Sequence, residues 1–214
     1  MAGICVPNRE ATVFVVDDDP TVRDGLQRLL RSAGLKVEAF GDAQEFLSNT
    51  PAKGIGCILL DVNMPGMTGP ELHDCLHEQG IDLPVIYLTG NCTVSISVRA
   101  MKNGAMDFLE KPVDADTLLP AIALAIGRHR RSFEKHQQLD ELAGRLATLS
   151  AREREVFDHV VLGRLNKQIA ADLGIAEKTV KVHRGRVMAK MKVRSVAQLV
   201  HLWEQLAPAG TTSS

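Results

Sequence analysis

The sequence predicts an α/β domain, a doubly wound parallel (βα)5 sheet, followed by an all-α domain of four helices. Three observations carry this. Short apolar runs alternate with helical patterns through the first 127 residues; no strand signal remains after Ser150; and the charge changes sign between the two halves. Residues 1–130 hold 11 Lys/Arg against 17 Asp/Glu, and residues 148–206 hold 11 against 6, while the whole chain is nearly neutral at −1. An acidic half and a basic half imply different partners, the basic one being a nucleic-acid candidate.

In order along the chain, Thr12–Val16 is a β-branched run, and a Leu26/Leu29/Leu30 stripe marks the helix that follows. Leu35–Phe40 reads as a strand and Ala43–Leu47 as a short helix. Cys57–Leu60 is a compact buried strand, Glu71–Glu78 a helix, Pro84–Leu88 a strand, Val94–Lys102 a helix and Met106–Leu109 a fifth strand. A last helix starts near Asp114 and passes Ile126. Strands apolar on both faces belong to a parallel sheet covered on each side, and such sheets form ligand sites at the carboxyl ends of their strands.

Residues 128–147 turn polar and helical, a linker in which Leu139, Leu142, Leu146 and Leu149 follow 3-4-3 spacing. That run is too short to establish a coiled coil, and contact with a second copy and local packing remain equally open. Ser150-x-x-Glu153 is a capping box that opens a helix to about Leu162. Asn166 is read as the cap of a second helix closed by Gly174, Glu177 begins a third to about Lys192, and Ser195 begins a fourth. The expected boundaries are 11–127, 128–147, 148–207 and a disordered tail, 208–214. Cys5, Cys57, Cys75 and Cys92 lie far apart with no metal-ligand spacing, the first twelve residues lack a signal-peptide apolar region, and no apolar run reaches membrane length. A cytoplasmic protein is expected.

The chemistry sits at strand ends. Asp17, Asp18 and Asp19 follow the first strand, Asp61 the third and Lys111-Pro112 the fifth. If the strand order brings them together, crowded carboxylates require a cation, and Mg²⁺ suits a few carboxylates plus water and phosphate oxygens. A lysine facing such a site fits phosphoryl transfer, with a carboxylate as nucleophile. Singly, these residues have plainer readings: Asp17–Asp19 as caps for a helix opening at Pro20, Asp61 as a turn residue, Lys111-Pro112 as a loop, Thr89 and Phe108 as packing, and Cys92 as an inert thiol. Their joint occurrence at successive strand ends favours the site.

VVDDD at 15–19, LLDVNMPGMTG at 59–69, YLTG at 87–90 and FLEKP at 108–112 resemble the receiver domain of two-component response regulators, in order and spacing over roughly 115 residues. The resemblance implies that Asp61 accepts phosphate from a sensor histidine kinase. It implies Mg²⁺ held by Asp18 and Asp61, by Asp17 through water and by the Asn63 carbonyl. Thr89 and Lys111 would contact the phosphoryl group, Phe108 would be the switch aromatic, and the Lys111–Pro112 bond would be cis. The chain departs from close relatives at Gly90-Asn91-Cys92, in the loop that shapes access to the site.

In the basic half, Ile169, Ala170, Leu173, Ile175, Val180 and Val187 are spaced to pack two helices across a turn at Gly174-Ile175-Ala176. LSAREREV at 149–156 and GRLNKQIAADLGIAEKTVKVHRGRVMAKM at 163–191 resemble the LuxR-type helix-turn-helix. Together the two halves resemble the FixJ/NarL class, its FixJ-like branch most. The resemblance implies a phosphorylation-controlled transcription regulator, commonly an activator, rather than an enzyme. Its helix-turn-helix would span 166–185, with Lys178, Thr179, Lys181, His183 and Arg184 contacting promoter DNA; Gly185 has no side chain to do so. Dimerisation through Ser195–Leu206 and contact with RNA polymerase are expected as well. The rivals are a regulator indifferent to phosphate, a kinase-pathway adaptor that binds no DNA, and an aspartate-nucleophile phosphatase. Asn63 stands where the phosphatase needs its second acid.

Overall fold

A computed structural model of the protein describes residues 11–49, 54–90 and 105–206. The chain divides into two compact units between Phe133 and Glu134. In the first, the elements run β1 (Thr12–Val16), α1 (Pro20–Ser32), β2 (Lys36–Phe40), α2 (Ala43–Asn49), β3 (Gly56–Asp61), α3 (Gly69–Glu78), β4 (Val85–Thr89), β5 (Asp107–Glu110) and the start of α4 (Ala115–Ala147). The five strands are parallel in the order β2-β1-β3-β4-β5. The expected helix at Val94–Lys102, together with Asn91 and Cys92, lies outside the described residues, as do Cys5 and the tail.

Each sheet face has its own core, as period-two strands buried on both sides require. Val13, Val15, Leu59, Ile86 and Leu88 meet α1 and the Leu118–Ile126 face of α4. Phe14, Val16, Ile58, Leu60 and Tyr87 meet α2 and α3, where Phe46 packs edge-on to Phe14 and Phe40 with centroids 5.8 and 5.2 Å away. Helix α3 starts two residues earlier than expected, because Thr68 and Glu71 form a capping box with Pro70 in the first turn. That start requires glycine at 69, since a Cβ there would lie 2.3 Å from the Asp61 carbonyl oxygen.

The linker is no separate element. Helix α4 runs 33 residues without interruption, and the boundary between the two units falls inside it. Leu142 is buried in the second unit's core with Leu146 and Leu149 against it, so these leucines pack locally.

The second unit adds α5 (Ala151–Val161), α6 (Asn166–Leu173), α7 (Glu177–Lys190) and α8 (Val196–Leu206) around Val156, Phe157, Val160, Ile169, Val180, Val187 and Leu199. The Ser150–Glu153 capping box is present. Asn166, however, does not cap α6. The cap is Leu165, whose N–H donates to Gln168 Oε1 at 2.9 Å, and the Asn166 side chain faces α7 instead. Gly174 closes α6 at φ 65°, a left-handed conformation that glycine adopts without Cβ strain.

Candidate functional site

Parallel strands ending together bring distant residues to one edge. Asp17 follows β1, Asp61 ends β3, Thr89 ends β4 and Lys111 follows β5, and the order β1-β3-β4-β5 sets them in a row. Asp17, Asp61 and Thr89 are buried, whereas Asp18 is exposed. Carboxylate oxygens of Asp17, Asp18 and Asp61 all lie within 4.8 Å of one another. Lys111 Nζ sits 2.9 Å from Asp61 Oδ1 and 2.5 Å from Asp17 Oδ2, and that buried Oδ2 receives no aligned hydrogen bond. Asp17 is otherwise pinned: its Oδ1 accepts from the Asp19 N–H at 3.0 Å and its carbonyl from Arg23 at 2.6 Å. Asp19 is the helix cap that the plainer reading expected, accepting from the Thr21 N–H at 2.8 Å.

Burial raises the Asp61 carboxyl above its ordinary value; Lys111 opposes this, and the charges of Asp17 and Asp18 reinforce it. For Lys111 burial acts downward, but its close ion pairs with Asp17 and Asp61 outweigh it and hold the ammonium above the ordinary lysine value. Three crowded carboxylate oxygens are a donor set suited to a hard divalent cation. Asn63 lies in the loop after β3 with its side chain exposed. Phe108 is half-buried on β5, beside Tyr87 with ring centroids 6.2 Å apart. The Lys111–Pro112 bond is cis, and the Lys111 N–H donates to the Thr89 carbonyl at 2.7 Å.

In the second unit, Lys178, Thr179, Lys181, Val182 and Gly185 lie exposed on α7. Positions 178, 181, 182 and 185 fall on one helical stripe. His183 and Arg184 are half-buried: His183 Nδ1 is buried with no hydrogen-bond partner among the described residues, and Arg184 donates to Asn166 Oδ1 at 2.6 Å, tying α7 to α6. Val182, 48% exposed, was missed by sequence reasoning. An apolar residue amid polar ones on an otherwise basic helix face was its available signal, since such a residue suits a thymine methyl. Leu199 of α8 is spent on the domain's own core, where Phe157 and Trp203 meet edge-on at 5.5 Å; Leu202 and Trp203 stay half-exposed.

Residues 13–123 match the response regulator receiver domain, and residues 147–203 match the bacterial regulatory proteins of the luxR family. The chain belongs to the response regulators. This response regulator is 44% identical to nodulation protein W of Bradyrhizobium diazoefficiens, over 92% of its own length and 87% of that protein's. It is 41% identical to the transcriptional regulatory protein FixJ of the same organism, over 89% of this chain and 93% of that one. Among solved structures, the response regulator StyR superposes with a TM-score of 0.87 at 44% identity, covering 92% of this chain and 99% of that one. Full-length FixJ from B. japonicum superposes with a TM-score of 0.57 at 39% identity, covering 93% and 98%. The response regulator thus carries a receiver domain and a LuxR-type DNA-binding domain, an architecture whose partners are a histidine kinase and promoter DNA. Among its described residues, no helix is long and apolar enough to cross a membrane.

Proposed function

We propose that phosphorylation of Asp61 switches this response regulator into a dimer that binds paired half-sites in promoter DNA. The reading rests above all on Lys111 bridging Asp61 and Asp17 at the edge where β4 ends in Thr89. An Asp61 carboxylate oxygen attacks the phosphorus of a phosphohistidine on the kinase; the new O–P bond forms as the P–N bond breaks, and the imidazole leaves with a proton. Asp17, Asp18, Asp61 and the Asn63 carbonyl would hold Mg²⁺, which when bound supplies positive charge to the phosphoryl oxygens. Lys111 moves its ion pair onto the phosphoryl group, and the Thr89 hydroxyl donates to it. Drawn inward, Thr89 leaves space that Phe108 fills, which reshapes the surface around β5.

On DNA, α7 enters the major groove with Lys178, Thr179, Lys181 and Val182 toward the bases and phosphates. Arg184 acts first by bracing α6 against α7, and His183 by packing. The half-exposed Leu202 and Trp203 of α8 supply apolar surface to a dimer, and the bound dimer recruits RNA polymerase in the cytoplasm.

The test is selection of bound fragments from genomic DNA, with and without a small-molecule phosphodonor and Mg²⁺, for the wild type and Asp61→Ala. Donor-dependent enrichment of paired half-sites by the wild type alone supports the reading. Equal enrichment in all four arms removes phosphate from control.

A further inference from the structure

Tyr87 is the chain's single tyrosine, and it is fully buried in the middle of β4. A phenol carried into a core needs a hydrogen-bond partner, or its hydroxyl is stranded away from water. The partner is His73 of α3, whose Nδ1 lies 3.0 Å from the Tyr87 hydroxyl, with the two rings edge-on at 5.9 Å. Three features link this pair to the switch. Tyr87 stands opposite Phe108 in the β4–β5 ladder, with the rings 6.2 Å apart. Tyr87 and Thr89 alternate with Leu88 along the strand and so share one sheet face. Finally, α3 begins at Gly69, packed directly on the Asp61 carbonyl, one turn before His73.

We propose that His73 is a positioning residue for the switch: by holding the Tyr87 hydroxyl, it keeps that ring out of the space Phe108 enters when Thr89 is drawn toward Asp61. The proposal rests on the phosphorylation reading above and adds a second input to it. In the neutral tautomer with Nε2 protonated, Nδ1 accepts from the phenol and holds the ring toward α3. A proton on Nδ1 reverses the bond: the imidazolium donates to the phenol oxygen, the phenol O–H loses its acceptor inside the core, and the loosened ring competes with Phe108 for the same space.

Protons reach His73 because it lines a cavity of about 170 Å³ on the α3 and α4 side, shared with His77, Asp82, Arg128, His129 and Ser132. Burial lowers the His73 pKa below its ordinary value, Asp74 opposing and His77 assisting, which favours the neutral imidazole. The charged or titratable groups facing it are Asp74 and His77 from α3, Asp82 from the following loop, Arg128 and His129 from α4, and Tyr87 from β4.

The test uses the full-length protein with Mg²⁺, and beryllofluoride as the phosphoryl mimic. The ratio of DNA affinities with and without beryllofluoride is measured from about pH 8 down to the lowest pH at which the protein stays folded, because burial moves the His73 titration toward the acid side of the ordinary histidine range. In the wild type this ratio is expected to fall at least about threefold as pH drops. His73→Asn, whose Oδ1 replaces Nδ1 as acceptor, keeps the neutral-pH ratio but loses the pH response. His73→Phe gives the low ratio at every pH, and Tyr87→Phe is independent of pH. The single tyrosine ring resonance reports the pair itself, and it should titrate in the wild type and not in His73→Asn. If that resonance titrates while the affinity ratio does not, or if all four proteins share one pH profile, the proposal is overturned. If beryllofluoride changes affinity equally in Asp61→Ala, the phosphorylation reading fails, and the proposal fails with it.

Discussion

Lys111 Nζ reaches Asp61 Oδ1 at 2.9 Å although their strands are not neighbours: β4 lies between β3 and β5 and ends in the buried Thr89. The lysine therefore spans the position of Thr89 while also meeting Asp17 at 2.5 Å. One cation holds two acids apart from the solvent, in the geometry that incoming phosphoryl oxygens would take over. Lys111→Met keeps much of the side chain's length and removes the charge. Asp61 should then rise further in pKa, and phosphorylation by a small-molecule donor should slow by about a hundredfold, the lower end of what losing one preorganised donor costs. Intact-protein mass spectrometry over time measures it.

Crowding of Asp17, Asp18 and Asp61 also predicts a response to Mg²⁺. Asp61 has a raised carboxyl pKa, so its ionised form is disfavoured in the folded protein, and that penalty grows as pH rises through the folded pKa. Asp61→Asn should raise the melting temperature of the cation-free receiver domain at neutral pH. Mg²⁺ at a hundredfold excess over its dissociation constant should stabilise the wild type by about 2.7 kcal/mol, by mass action. The gain should be much smaller in Asp18→Asn. Calorimetry with and without Mg²⁺ decides both; an Asp61→Asn protein that melts lower would show that the Lys111 pair outweighs the repulsion.

The sheet was legible because each strand is a continuous apolar run, and because acids, Thr89 and Lys111 sit at the strand ends. What sequence alone left conditional was whether those ends converge, and the β2-β1-β3-β4-β5 order supplies that. The start of α3 was misplaced although Thr68-x-x-Glu71 spells a capping box, because Gly69 and Pro70 read as loop residues unless the Asp61 carbonyl beneath Gly69 is known. Asn166 was misread as a cap because its side chain pairs with Arg184, 18 residues away, a partner no local pattern encodes. The leucines of the linker kept two readings open until their neighbours Val156 and Met191 were placed. The His73–Tyr87 pair was invisible for the same reason, joining a helix to the strand beneath it.

Glu153 predicts how the DNA-binding domain responds to acid. It caps α5 with Ser150 and accepts from Lys190 at 2.6 Å. The Lys190 hydrogen bond, the Ser150 N–H and the lysine charge lower its pKa to about 2 from an ordinary value of 4.5. A depressed carboxylate contributes stability that is complete above the unfolded value and lost as pH falls toward the folded one. The wild type should therefore lose stability between about pH 4.5 and 2 that Glu153→Gln has already lost at neutral pH. Trp203, the single tryptophan, packs on Phe157 and reports this domain alone by fluorescence during acid unfolding.

The exposed stripe of α7 offers separate tests of affinity and of specificity. Lys181 is exposed and, among the described residues, pairs with Glu177 at 3.6 Å within its own helix, which leaves it within reach of a phosphate. Lys181→Ala should weaken binding to all sequences alike and reduce the salt slope by about 1. Val182 carries no charge, so on the proposed reading it would contribute apolar contact with a thymine methyl. Val182→Ala should leave the salt slope unchanged and cost about 1 kcal/mol at one base step, relaxing the preference there. Between them, Gly185 has open space where a side chain would stand. Gly185→Lys should therefore strengthen binding to every sequence and steepen the salt slope, without sharpening the site. Binding isotherms on the selected half-site and a scrambled duplex, across salt concentrations, distinguish the three variants. If Val182→Ala weakens both duplexes equally, α7 does not meet the bases through this face.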